Sequence, residues 1–317
     1  MVKNEFFYPS ADGKTQIHAV EWLPDGEVLA VLQIAHGVAE YILRYEDFAR
    51  YLTGRGFAVV GNDHIGHGQS VAPGAQPLYF GPKGSWNRVV DDLYRLRQDM
   101  GKKYPGKTYF MLGHSMGSFL LRTYLIRYPG TLDAAVIMGT GQQPAVMTTG
   151  GQLLAPLLAG KKGEDSPSEL VEKLAFGGYN KQFAPNRTGY DWLSVNEENV
   201  DRYIADPLCG GKATVGLFRE MLWGLGFIRG AGNLKKMDVN TPILFVSGAC
   251  DPVGANGKGV RQAYESFRKA GVVDVTLRLY PGMRHEILNE AGREQVYLDL
   301  YEWLATKAIM PISGEGL

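Results

Sequence analysis

The sequence predicts an α/β fold: a mostly parallel sheet with helices on both faces and a single helical insertion. Two observations carry this reading. Short apolar runs rich in β-branched and aromatic residues alternate with segments of helical spacing, the rhythm of successive β-α units. That alternation stops after Gly139 and resumes at Thr241, as expected of an insertion between two strands of one sheet. Glycine agrees with both: 41 of 317 residues, nearly twice the usual share of about 7%, supply the tight turns such a chain needs.

Taken in order, residues 17–23 alternate and residues 28–35 form a near-continuous apolar run, so both read as strands. Residues 45–52 place Tyr45, Phe48, Ala49 and Leu52 on one helical face. A strand follows at 57–61. Residues 86–104 form a helix with Val89, Val90, Leu93, Leu96 and Met100 on one face. Next come a strand at 108–113, a helix at 119–128 and a strand at 134–139. Residues 140–235 contain no strand pattern. They hold a helix-like stretch at 146–158, the polar loop KKGEDSPS at 161–168, and further helical and Gly-rich pieces. The rhythm returns with strands at 242–248 and 273–280 and helices at 260–270 and 294–308. The final PISGEGL reads as an unanchored tail. The expected organisation is a core of residues 1–139 and 236–317, with residues 140–235 as a helical cap.

Charge and composition bound the function. The 33 basic and 33 acidic side chains cancel, which argues against nucleic acid as a partner. Two cysteines, Cys209 and Cys250, make no disulfide framework and fit a reducing compartment. The opening MVKNEFFYPSADGKTQ has no apolar signal-peptide core, and no apolar run is long enough for a membrane span. A cytoplasmic protein is expected, with transient contact at a membrane surface left open.

The sharpest motif is Gly113-His114-Ser115-Met116-Gly117, a G-x-S-x-G match between a predicted strand and a predicted helix. That context makes it a nucleophile elbow, with small neighbours around a serine thrust above the sheet and a helix N-terminus behind it. A serine nucleophile needs a base, and the base needs an orienting acid. Around such elbows the order along the chain is Ser, acid, His. His285 is the only histidine after Ser115, and Asp251 follows the preceding strand. Ser115, Asp251 and His285 are therefore the predicted catalytic triad. The oxyanion hole is expected from the N–H of Met116 and that of Val38, in the loop His36-Gly37-Val38-Ala39-Glu40, with His36 bracing the loop. His64 and His67 beside Asp63 lack a convincing ligand set and read as a Gly-rich turn bonded to backbone, so no metal is expected. No dinucleotide or phosphate-binding Gly motif is present, and no cofactor is expected.

With HGVAEY at 36–41, NDHIGHGQS at 62–70, GHSMG at 113–117, SGACDPVG at 247–254 and GMRHEILNE at 282–290, the chain resembles the monoacylglycerol lipase and lysophospholipase group of α/β-hydrolases. The resemblance implies an α/β-hydrolase fold, a cap over the site, and cofactor-free hydrolysis of a lipid-like monoester through an acyl-enzyme. It also implies that Glu40 and Arg44 pair near the glycerol end of the pocket. Tyr41 stands where the monoacylglycerol lipases commonly have His. An amidase or aminopeptidase on the same fold would need acidic cap residues, for which Glu164, Asp165, Glu169 and Glu172 are candidates. A short-chain esterase and an inactive binding protein are the remaining alternatives.

Overall fold

In the computed structural model, residues 1–160 and 163–308 are described; the side chains of Leu153, Pro156, Leu157 and Leu158 and the predicted tail at 311–317 lie outside the described residues. Among the described residues, eight strands form one sheet: β1 (Val2–Pro9), β2 (Gln16–Leu23), β3 (Ala30–Ala35), β4 (Phe57–Asn62), β5 (Thr108–His114), β6 (Ala134–Met138), β7 (Ile243–Gly248) and β8 (Val275–Tyr280). Their order across the sheet is β1-β2-β4-β3-β5-β6-β7-β8. β1 pairs antiparallel with β2, and β2 antiparallel with β4; every pairing from β4 to β8 is parallel.

Before the insertion, the helices of the core are α1 (Glu46–Thr53), α2 (Ser85–Lys103) and α3 (Met116–Arg127). The insertion itself contains α4 (Ala145–Ala159), α5 (Glu169–Ala175), α6 (Glu197–Ala205), α7 (Val215–Arg229) and α8 (Ala231–Leu234), and α9 (Lys258–Ala270) and α10 (Arg293–Lys307) close the chain. Strand side chains alternate between two cores. Val31, Tyr109 and Met111 meet α2, α3 and α9 through Trp86, Leu93, Leu120 and Phe267. Leu32, Phe110 and Leu112 meet α1 and α10 through Phe48, Leu52, Val296 and Leu300. A strand buried on both faces has no polar alternation, which is why β3, β4, β6 and β7 read as continuous apolar runs.

β1 was not among the expected strands. It is an edge strand with almost every residue exposed, and its sequence carries no buried-face pattern. α3 begins at Met116, three residues earlier than its periodicity predicts, because the turn at Ser115 opens directly into the helix. Residues 140–235 hold helices and short 3-10 turns but no strand among the described residues. α4 packs along α7, which in turn packs on α3.

Candidate active site

The loops after β3, β5, β7 and β8 all leave the carboxyl edge of the sheet, where open α/β sheets bind ligands. Ser115 caps α3 with φ 53° and ψ −120°, a backbone conformation that L-residues rarely adopt. The turn leaves no room beside it. A Cβ at Gly117 would collide with the carbonyls of Ala35 and His36, so this position must be glycine. Ser115 is 8% exposed and lines a cavity of 1130 Å³ bounded by the sheet edge and the insertion.

His285 lines the same cavity, and its Nδ1 lies 3.0 Å from Asp251 Oδ2. Asp251 is fully buried and also accepts the Val253 N–H at 2.9 Å and the Ser247 hydroxyl at 3.1 Å. With donors already at both oxygens, the contact with His285 is completed by a proton on Nδ1, which leaves Nε2 a free lone pair. The Trp192 ring, from the insertion, packs against His285 with centroids 5.1 Å apart.

The loop after β3 lies against the serine: a Cβ at Gly37 would sit 3.1 Å from Ser115 Cβ. Neither the Val38 N–H nor the Met116 N–H has an acceptor among the described residues, and both residues line the cavity. His36 braces this loop. Its Nε2 accepts the His64 N–H at 3.0 Å, so the ring proton is on Nδ1, which donates to Gly37 O at 2.7 Å. Burial drives His36 down to about 3, keeping it neutral. His64 returns a contact from Nε2 to His36 O, and His67 Nδ1 lies 3.1 Å from Ile65 O. Asp63 accepts the N–H groups of Ile42 and Gln69. The cluster is thus a backbone-bonded turn holding the loop, as its sequence suggests.

Glu40 and Arg44 meet at 2.7 Å. Glu40 also accepts the Gly37 N–H at 2.6 Å and the Tyr45 hydroxyl at 2.9 Å, and lies 3.2 Å from His114 Nδ1. Burial opposes its ionisation, but His114 and Arg44 outweigh burial and hold its carboxyl well below the usual range. Burial likewise opposes charge on His114, and Glu40 overcomes it to raise the imidazole. Arg44 grips Glu286 with both terminal nitrogens, at 2.6 and 2.8 Å, and Asn199 of α6 donates to Glu286 at 2.7 Å. Sequence reasoning missed Glu286, Asn199 and the polar role of Tyr45. Glu286 adjoins His285 inside a motif already singled out, but its partner lies 242 residues away in the chain.

Of the apolar insertion residues, Leu154, Phe218, Met221 and Leu222 line the cavity, while Trp223 and Phe227 stack on each other at 5.2 Å. Both cysteines are free, and burial pushes the Cys209 thiol up. No described helix is long and apolar enough to cross a membrane.

Comparison with known proteins adds to this geometry. Residues 26–292 match the family described as serine aminopeptidase, S33. The chain is 29% identical over 308 residues to a monoacylglycerol lipase of Mycolicibacterium smegmatis, covering 96% of this chain and 98% of the relative. It is 27% identical to human monoglyceride lipase, covering 94% and 89%. A thermostable carboxyl esterase from Bacillus coagulans, solved in complex with glycerol, superposes with a TM-score of 0.89 at 25% identity, covering 96% and 99%.

Proposed function

The chain belongs to the serine aminopeptidase S33 family of α/β-hydrolases and is a hydrolase; on that premise we propose that it cleaves lipid-like monoesters of the monoacylglycerol or lysophospholipid type. The observation that carries the proposal is the strained Ser115 opening into an apolar cavity beside the His285–Asp251 pair. In this reading His285 Nε2 takes the Ser115 proton as Oγ attacks the ester carbonyl. The Val38 and Met116 N–H groups hold the oxyanion. Protonated His285, stabilised by Asp251, gives its proton to the departing alkoxide. Water activated by the same imidazole then frees the acid from the acyl-enzyme. Residues 140–235 act as the cap, with Leu154, Phe218 and Leu222 against the acyl chain.

Recognition of a free amine would call for an uncommitted carboxylate in the cavity. Glu164 pairs with Arg219, and Glu169 pairs with Lys212 at 2.7 Å. Glu172 accepts the Ala213 N–H, and Asp165 does not line the cavity. Ester cleavage is therefore favoured over aminopeptidase activity.

The test is a panel of monoacylglycerols, lysophospholipids, short p-nitrophenyl esters and amino-acid amides, run on the native chain and on Ser115→Ala. Turnover of lipid monoesters that falls on the order of 10⁶-fold in a folded Ser115→Ala protein is expected. Retention of most activity in that variant, or a preference for the amides, sinks the reading.

A further inference from the structure

His285 stands in a loop that the insertion holds from outside. Arg284, just before it, donates its guanidinium to the carbonyls of Asp191 and Ser194. Glu286, just after it, donates its N–H to Leu193 O at 2.8 Å. Asn196 Nδ2 donates to Asn289 O at 3.1 Å. One side chain ties these strings together. The Glu290 carboxylate, 1% exposed, accepts the Arg284 N–H at 2.7 Å on Oε1. On Oε2 it accepts the Ser194 hydroxyl at 2.6 Å and the Val195 N–H at 2.8 Å.

No cation pairs with Glu290 among the described residues; its charge is met by these donors alone. Taking a carboxylate out of water is costly, so a buried one that serves as a three-way acceptor is a strong geometric constraint. Its donors belong to two different parts of the chain, the residue adjoining His285 and residues 194–195 of the insertion. The same stretch of the insertion supplies Trp192, which packs on the His285 ring.

We propose that Glu290 is a positioning residue for the hydrolysis: by binding Arg284 N–H and residues 194–195 at once, its carboxylate fixes the backbone that carries His285. This rests on the reading of His285 as the general base. It also splits the insertion by role. Residues 191–199 belong to the catalytic frame, and they cannot lift away without displacing the imidazole. The opening for substrate then falls to α4 and α5, where Val146, Met147, Leu170 and Leu174 are exposed.

The experiment compares the full native chain with Glu290→Gln and Ser194→Ala, using steady-state kinetics and titration of Ser115 by a fluorophosphonate. Gln offers a single acceptor oxygen, so it cannot serve both sides of the bridge. A misplacement of about 1 Å costs on the order of 10²-fold, and a loss of about that size in kcat is expected for Glu290→Gln, with KM within about twofold. Ser194→Ala, which keeps two of the three donors, shifts kcat the same way by a smaller factor. Both variants label Ser115 to full stoichiometry but more slowly. Native kcat and labelling rate in a folded Glu290→Gln overturn the proposal. Should that variant not fold, native values in Ser194→Ala overturn it. Reduced stoichiometry at an unchanged rate also overturns it, because that signature means only a smaller folded fraction. Failure of the native chain to label at Ser115 sinks the triad reading itself; native labelling with equally fast variants sinks the positioning role alone.

Discussion

At the residue scale, the site depends on peptide planes as much as on side chains. Gly37 O and Val38 N belong to one trans peptide, so fixing the carbonyl in one direction points the N–H in the other. His36 Nδ1–H fixes that carbonyl at 2.7 Å, and the His64 N–H, donating to Nε2 at 3.0 Å, dictates that the ring proton sits on Nδ1. Glu40 holds the adjoining Gly37 N–H at 2.6 Å. His36, which does not line the cavity, therefore aims the Val38 N–H, an oxyanion donor in the proposed reading. Replacing His36 by Ala frees the peptide to rotate, and the expected result is a loss approaching that of one oxyanion donor, on the order of 10²–10³ in kcat. KM should change little, since the donor matters most once negative charge has developed. Steady-state kinetics on the folded variant decide it: kcat within about twofold of native means the loop keeps its geometry without the imidazole.

At the element scale, α2 is fastened to the β1–β2 turn through one carboxyl. Asp92 accepts the Ser10 hydroxyl at 2.7 Å and the Ala11 N–H at 2.6 Å, and its carbonyl accepts the Tyr8 hydroxyl at 3.1 Å. Burial raises the Asp92 carboxyl from 3.8 to about 7. Its folded value then exceeds its unfolded one, so between them the native state binds more protons, and stability falls as pH rises. The contribution is greatest below 3.8, declines to about pH 7 and is flat above. Asp92→Asn should remove this slope, an effect on the order of 2 kcal/mol; urea midpoints of both proteins at pH 5 and 8 check it. Equal pH slopes in the two proteins would show that Asp92 titrates normally. Elements differ in how far the sequence discloses them for related reasons. Strands buried on both faces announce themselves as apolar runs, and helices with one buried stripe by their period. β1, held by edge pairing and by contacts such as His18–Glu5 at 3.0 Å, has no such pattern. The grouping of Ser115 and His285 on one cavity, with Asp251 paired to His285, was legible because an elbow motif and strand ends constrain their positions and a single histidine follows the serine. The lacing of residues 191–199 to the His285 loop was not, because its partners are largely backbone groups, which carry no sequence signal.

At the scale of the whole molecule, the sheet edge and the insertion enclose one cavity of 1130 Å³ from opposite sides. The sheet side contributes Ser115, Met116, Val38 and His285, a small polar corner. The insertion side contributes Met147, Leu154, Leu174, Phe218 and Leu222, an apolar wall. Such a division suits a substrate with one reactive polar group and a hydrocarbon tail. Val146, 77% exposed, and Met147, 55% exposed, also line the cavity, so its apolar wall reaches the surface along α4. A tail laid along this wall gains about 0.8 kcal/mol per buried methylene, up to roughly fourfold in kcat/KM for each carbon whose burial persists in the transition state. The expected profile for esters from two to sixteen carbons therefore climbs through the medium chain lengths and levels off once the wall is covered. A competing arrangement has the same side chains binding only one another, with a small pocket left at Ser115. It predicts kcat/KM flat or falling from acetate onward. Measuring the series separates the two, and a falling profile would make the protein a short-chain esterase whose insertion is packing alone.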